Sequence, residues 1–268
     1  MSRHICLRQV APLGLVLAIV ALFAASRASA QDPFEIEVYG YETAPRSTWE
    51  LDGHLNYTAI GTSVADGTVA PTARQGHLAL ELTRGLTDHW EVAAYVLSAY
   101  RPGLGLEYAG ARVRSRIRLP ESWRLPVDVS VGAELEFSRA AYDENAAGLE
   151  IRPIFEKRIG RVQLDLNPVL ERGLRERGTG RDAEWEFEPS ARVGVEVSRM
   201  VDLSVEYYGK TGLFAGSVPG AEQVHQFYPG ADLKLGDDFV INIGVGFGTT
   251  PAGSRLVVKS RFEVPLGR

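Results

Sequence analysis

Polar and apolar residues alternate with a period of two along nearly the whole chain, and that period belongs to β-strands, whose side chains point to opposite faces in turn. In Trp49–Tyr57 the apolar positions are Trp49, Leu51, Leu55 and Tyr57, with Glu50, Asp52, His54 and Asn56 between them. Val127–Phe137 repeats the pattern, setting Val129, Val131, Leu135 and Phe137 against Asp128, Glu134 and Glu136. Trp185–Val197 does so again, with Phe187, Val193, Val195 and Val197 on the apolar side. Each such strand has one apolar face and one charged face. The pattern places twelve strands near 48–60, 74–84, 88–100, 106–118, 126–138, 148–158, 161–172, 184–198, 200–210, 225–235, 238–248 and 255–266. Most are longer than the usual ~5–6 residues and close to the ~9–11 that a tilted membrane strand needs.

Connections sharpen the reading. Gly85–Asp88, Gly160–Arg161, Ser198–Met200 and Gly236–Asp238 read as tight turns, whereas 61–73, 139–147, 173–183 and 211–224 are long and rich in Gly, Ala, Ser, Thr and charge. Short and long connections alternate, as in outer-membrane barrels with short periplasmic turns and long outer loops. Leu119–Pro126 is the exception, long for a periplasmic turn but stiffened by its prolines. The expected fold is all-β: an antiparallel up-and-down transmembrane β-barrel of twelve strands. Pro153, Pro168, Pro189 and Pro229 fall inside strands, where each removes a ladder donor, so bulges or broken pairing are expected there.

Residues 1–30 read as a signal peptide: Arg3, His4 and Arg8 precede the apolar Leu13–Ala25, and Ala28-Ser29-Ala30 supplies the small residues of a cleavage site. Residues 31–47 form an N-terminal periplasmic segment that either plugs the mouth or simply leads into the first strand, and 48–268 form the barrel. The one cysteine, Cys6, lies in the leader, so disulfides, thiol catalysis and cysteine–metal sites are not expected in the remainder. No cofactor is expected. Without the leader's three arginines the net charge falls from −5 to −8, which disfavours nucleic-acid binding. No long apolar segment follows the leader, so any membrane crossing uses strands.

Alternation alone leaves a second reading open, a soluble exported β-sandwich that buries its apolar face. The aromatic positions favour the membrane. Trp49, Trp90, Phe155, Phe239 and Phe262 fall near the strand ends assigned to the periplasm, and Tyr57, Phe137, Trp185, Phe187, Tyr207, Phe227 and Phe247 toward the opposite ends. Val, Leu, Ile and Ala lie between, so two aromatic girdles flank an aliphatic belt.

The charged face then lines a lumen. Arg112, Arg114, Arg116 and Arg118 project from one face of one strand, and Asp128, Glu134 and Glu136 from the equivalent face of the next, so that these columns are expected to pair. The open alternative is a polar channel with opposed charged walls. Glu184, Glu186 and Glu188 form a second acidic column, after a loop carrying Arg172, Arg175, Arg177 and Arg181. That loop either folds onto the glutamates, faces outward to lipopolysaccharide phosphates, or is simply solvated. Lys259 and Arg261 on the last strand are expected to meet Glu50 and Asp52 on the first where the barrel closes.

Catalytic signatures are sparse. No Gly-x-Ser-x-Gly elbow or Gly-rich phosphate loop occurs, and His54, His77, His89 and His225 show no ligand spacing. His77 or His225 would have to serve a lipid hydrolase, with no serine beside either in sequence. Asp143-Glu144-Asn145 offers oxygen ligands for calcium but reads equally as a loop tip.

The segment Asp32-Pro-Phe-Glu-Ile-Glu-Val-Tyr39 leading into Trp49–Tyr57, with the architecture that follows, resembles the outer-membrane barrel proteins of Gram-negative bacteria, including transporter and porin families. That resemblance implies outer-membrane lipid, lipopolysaccharide and the barrel-assembly machinery as partners. Such barrels usually end in an aromatic residue; here Phe262 is followed by Glu-Val-Pro-Leu-Gly-Arg268, so either Phe262 carries the assembly signal or the terminal signal is atypical. The function expected first is a narrow passive channel for small hydrophilic solutes. A plugged structural or surface-interaction barrel with a salt-bridged lumen is the alternative, and a lipid hydrolase the remaining one.

Overall fold

The protein is described by a computed structural model covering residues 32–176, 184–214, 216–235 and 239–267. Among these residues, twelve antiparallel strands close into one barrel. They are β1 (Trp49–Ile60), β2 (Gln75–Thr87), β3 (Trp90–Arg101), β4 (Gly105–Arg118), β5 (Asp128–Ser138), β6 (Asn145–Ile159), β7 (Val162–Glu176), β8 (Glu186–Ser198), β9 (Val201–Lys210), β10 (Val224–Leu235), β11 (Phe239–Gly248) and β12 (Leu256–Gly267). Each pairs with its sequence neighbours, and β1 meets β12 in a register that sets Leu55 opposite Ser260 and Gly53 opposite Phe262. Closure leaves no free strand edge. The leader lies outside the described residues, as do the Gly236–Asp238 turn and Arg177 and Arg181.

Alternation sorts the side chains as the sequence pattern requires. Along β1, Asp52, His54, Asn56 and Thr58 are buried in the lumen, while Leu55 and Tyr57 are exposed on the outside. Along β5, Ser130, Glu134 and Glu136 face in, and Val131, Leu135 and Phe137 face out. A continuous outer surface of Val, Leu and Ile far exceeds the ~300–600 Å² apolar patch of a soluble monomer. Hydrocarbon is the medium that such a belt fits, and closed barrels satisfy every backbone group within it. The chain is therefore a transmembrane β-barrel with its aliphatic belt turned toward lipid.

Aromatic side chains mark both ends of the belt. Trp49 and Trp90 open β1 and β3 at the short-turn end, Trp49 lying under the Arg84 guanidinium and Trp90 bonded through Nε1 to Ser115 Oγ (2.9 Å). Phe239 opens β11, and Phe155 lies near the same end of β6. Phe262 covers Gly53 across the closing seam, so closely that a Cβ on Gly53 would meet the ring at 2.0 Å. At the long-loop end Tyr57, Phe137, Phe227 and Phe247 are exposed, Tyr207 packs against Phe227, and Phe187 against Phe214. Trp185 precedes β8 there. Exposed Tyr100 and Tyr108 extend this band and were missing from the sequence reading.

Connections differ from expectation in detail. The β4–β5 turn contains a short 3-10 helix, Glu121–Trp123, closed by Arg124 in the left-handed region. The β3–β4 connection, 102–104, is short although it belongs to the long-loop end. Pro168 sits opposite Pro189, and the β6–β7 ladder is interrupted between the Ile151–Leu170 and Phe155–Leu166 pairs, where Pro153 and Pro168 fall. The β10–β11 ladder breaks similarly at Pro229.

Residues 32–47 run through the lumen rather than only leading into the first strand. From the β1 start the chain runs back inside the barrel, and Phe34, Glu35, Ile36, Val38, Tyr39, Tyr41 and Ala44 are all buried. Ser47 bonds to Gly85 at the short-turn end, whereas Phe34 lies against Tyr142 of the 139–144 loop at the other. The segment is an internal plug.

Candidate functional site

The plug is fixed by two kinds of contact. Apolar seats come first. Phe34 joins Ala79, Ala93, Tyr95, Leu97, Ala99 and Ala109 on β2–β4, with His77 edge-on at 4.9 Å. Ile36 and Val38 join Tyr208, Tyr228 and Val257 on β9, β10 and β12. Small residues on β2–β4 leave room for the first seat, and two tyrosines packed edge to face (5.2 Å) build the second.

Ion pairs and hydrogen bonds come next. Glu35 sits between Arg112 (3.0 Å) and Arg114 (3.9 Å) and accepts from the Tyr39 hydroxyl. Arg112 also reaches Asp32 at 2.8 Å. The Tyr39 ring is sandwiched by guanidinium groups, Arg114 and Arg152 each 4.7 Å from its centroid. Glu37 takes Arg261 at 2.8 Å, and Lys259 donates to the Ile36 carbonyl (3.1 Å) while paired with Glu206. Toward the short-turn end the Tyr41 amide donates to Glu156 (2.9 Å), its hydroxyl to the Leu119 carbonyl (2.6 Å), and the Ala44 amide to Glu91 (2.6 Å). Asn56 of β1 donates to the Pro33 and Phe34 carbonyls. Removing one member of a buried pair strands its partner, at about 3–5 kcal/mol.

The sequence-selected columns lie along this plug but do not pair as neighbouring strands alone would dictate. Arg112 does reach Glu134 (3.4 Å) and Glu136 (3.7 Å) on β5. Arg114 instead pairs with Glu81 on β2 and with Glu91 on β3 (3.3 Å), and Arg116 with Glu91 (2.8 Å). Arg118 bonds Glu42 of the plug (3.0 Å) and Glu121 (3.5 Å). Arg114 reaches past β3 to Glu81, whereas Arg116 meets its direct cross-strand partner on β3, the β5 positions opposite Arg116 and Arg118 being Gly132 and Ser130, which offer no charge. Asp128 stands opposite Glu156.

The second acidic column is also reassigned. Glu184 is exposed and precedes β8. Glu186 and Glu188 meet Lys210 of β9 at 2.6 and 2.5 Å. Arg172 is exposed with its guanidinium over Trp185. At the seam Arg261 does reach Asp52 (3.5 Å), but Lys259 turns to Glu206, and Glu50 lines the cavity at the short-turn end. Lumen residues that sequence reading missed include Glu35, Tyr39, Glu81, Glu91, Arg152, Arg192 and Lys210. For Glu81, Glu91, Arg152, Arg192 and Lys210 the even or odd spacing within each strand was a usable signal.

The plug divides the lumen into two polar cavities. One, of about 210 Å³, opens at the long-loop end between Asp32, Arg112, Glu136, Asp143, Glu188 and Lys210. The other, about 560 Å³, opens at the short-turn end between Thr43, Asp52, Glu91, Arg192, Asp232 and Arg261. Between them stand the plug backbone and the Ile36–Val38 seat. Carboxylates converge at Glu171, Glu186 and Glu188, but Lys210 already sits among them; Glu35, His54 and Glu81 converge likewise beside Arg114. His77 bonds Gln75 (3.1 Å), and His225 bonds Tyr207 (2.8 Å) and Gln223 (3.1 Å).

No family model and no curated protein matches the sequence. Among solved structures the chain is similar to an outer-membrane channel from Pseudomonas putida F1, with a TM-score of 0.58 and 11% identity over 87% of this chain and 100% of that one. It is less similar to the KdgM porin in complex with disordered oligogalacturonate (TM-score 0.48, 10% identity, 81% of this chain and 97% of that one). Omp33 of Acinetobacter baumannii follows, with a TM-score of 0.44 and 8% identity over 84% of this chain and 99% of that one. At these identities the likeness is one of fold.

Proposed function

We propose that the protein is a gated channel for small hydrophilic solutes, closed in this conformation by residues 32–47. The observation that carries the reading is the plug itself, a separate segment seated between two polar cavities that open to opposite sides of the membrane. A barrel whose only task was structural could fill its lumen with wall side chains; this one keeps both mouths wet and charged. The similarity to an outer-membrane channel agrees with this reading. Displacing the Ile36–Val38 seat and the Asp32–Glu37 ion pairs joins the cavities, which leaves a passage narrower than that of larger porins.

Planar-bilayer recording tests it. The purified barrel gives infrequent open steps, and a variant carrying Ile36→Cys and Val257→Cys loses them when a thiol cross-linker ties plug to wall, recovering on reduction. A barrel that never conducts unless residues 32–46 are deleted has a permanent filler, and the channel reading fails.

A further inference from the structure

We infer that the channel selects cations, the solute class being small inorganic or organic cations; the inference rests on the channel reading above. Eleven carboxylates and four cationic side chains line the cavity at the long-loop end, and twelve against seven line the other. The imbalance does not come from the plug alone. Without the plug's own carboxylates the wall still presents eight against four and ten against seven.

All of these cationic side chains but Arg172 are, moreover, already paired with carboxylates. In the outer cavity Lys210 is shared by Glu186, Glu188 and Glu171, and Arg152 is held by Glu150 at 2.7 Å. Arg112 is divided among four carboxylates from the plug and β5. In the inner cavity Arg192 lies between Asp165 (3.4 Å) and Asp232 (2.5 Å), and Lys234 meets Asp202 at 2.8 Å. Apart from Arg172, whose guanidinium lies over the Trp185 ring, an anion entering either mouth finds only guanidinium and ammonium groups already shared by carboxylates. A cation finds carboxylate oxygens in excess. The Asn242 amide oxygen, which has no hydrogen-bond partner, and the Ser190 hydroxyl, likewise unpartnered, add neutral oxygens to the inner and outer linings.

Geometry makes the excess effective. Low-dielectric walls focus the field of the lining charges, and the cavities are of the order of the ~8 Å Debye length at physiological salt, so screening within them is weak. Rings of acidic side chains act in this way in cation channels.

The test is the reversal potential under a potassium chloride gradient, measured for the full barrel and for a barrel lacking residues 32–46, which conducts whether or not the native plug opens. Cation permeability is expected to exceed chloride permeability roughly tenfold in both. Glu186→Gln with Glu188→Gln, wall residues that pair with Lys210 of β9, should reduce that ratio at least about twofold. A reversal potential at zero or of anionic sign overturns the inference while leaving the channel intact. A silent full barrel beside a cation-selective deletion barrel overturns the gating reading and keeps this one. Silence in both overturns the two together.

Discussion

The side chain of Asn167 pairs with the backbone of Tyr39 as a neighbouring strand would, accepting from its amide at 2.8 Å and donating to its carbonyl at 3.0 Å. One residue of β7 thus supplies the ladder partner that the plug otherwise lacks, at a position fully shielded from solvent. Leaving two buried backbone groups unsatisfied costs about 1–3 kcal/mol each. Asn167→Leu should therefore raise the open fraction in bilayer recordings roughly tenfold or more, with unit conductance unchanged. Asn167→Asp keeps the acceptor but sets a carboxylate against the Tyr39 carbonyl, and should open the channel too. Wild-type gating in both variants would show that this contact does not hold the plug.

Gly246 governs the opposite seat. A Cβ there would lie 2.2 Å from the Tyr228 ring, the ring on which Ile36 and Val38 pack. Gly246→Ala displaces Tyr228 into the space of the plug, so open probability rises while the barrel itself stays folded. The readouts are channel recording and resistance to unfolding in detergent on a gel. Unchanged gating would mean that Tyr228 yields without moving the plug.

Gly53 and Phe262 test the seam. Gly53→Leu forces the Phe262 ring off its site and should lower barrel stability by about 1–3 kcal/mol, read as a lower temperature of unfolding in detergent. Exchanging the pair, Gly53→Phe with Phe262→Gly, should restore much of the loss. If the exchange is as harmful as Gly53→Leu alone, the two positions do not act as a packed pair.

Asp143 gives the outer loop a pH dependence. Burial, reinforced by Glu171 nearby, raises its carboxyl from 3.8 to about 6. Glu136 also faces it, Glu144 is adjacent, and Lys210 opposes the shift. The docked loop binds the proton more tightly than an undocked one, so docking is strongest with Asp143 protonated and weakens as pH rises through about 4 to about 6. A spin label at Ala141→Cys should become more mobile across that interval, and Asp143→Asn should abolish the change. A label whose mobility is flat with pH in the parent protein would contradict the assignment.

Strand number, strand bounds and the inside–outside sorting were legible in the sequence because alternation is a local property that each strand carries by itself. Breaks at Pro153, Pro168 and Pro229 were legible for the same reason, since proline cannot donate. The plug was not. Phe34-Glu-Ile-Glu-Val-Tyr39 alternates like a strand, and nothing local distinguishes a segment paired in the wall from one lying within it. Pairing within the lumen was half legible. Arg112 with Glu136 and Lys210 with Glu188 follow from strand adjacency, whereas Arg114 with Glu81, two strands away, depends on side-chain reach.

Because residues 34–38 bind β2–β4 on one side and β9, β10 and β12 on the other, their docking requires strands from both ends of the chain. Until β1 and β12 have joined, half of that cradle is missing, and afterwards the segment braces the junction from within through Glu37 and Arg261. The segment can therefore dock completely only in a finished cylinder, and its full seating reports that the ends of the sheet have met.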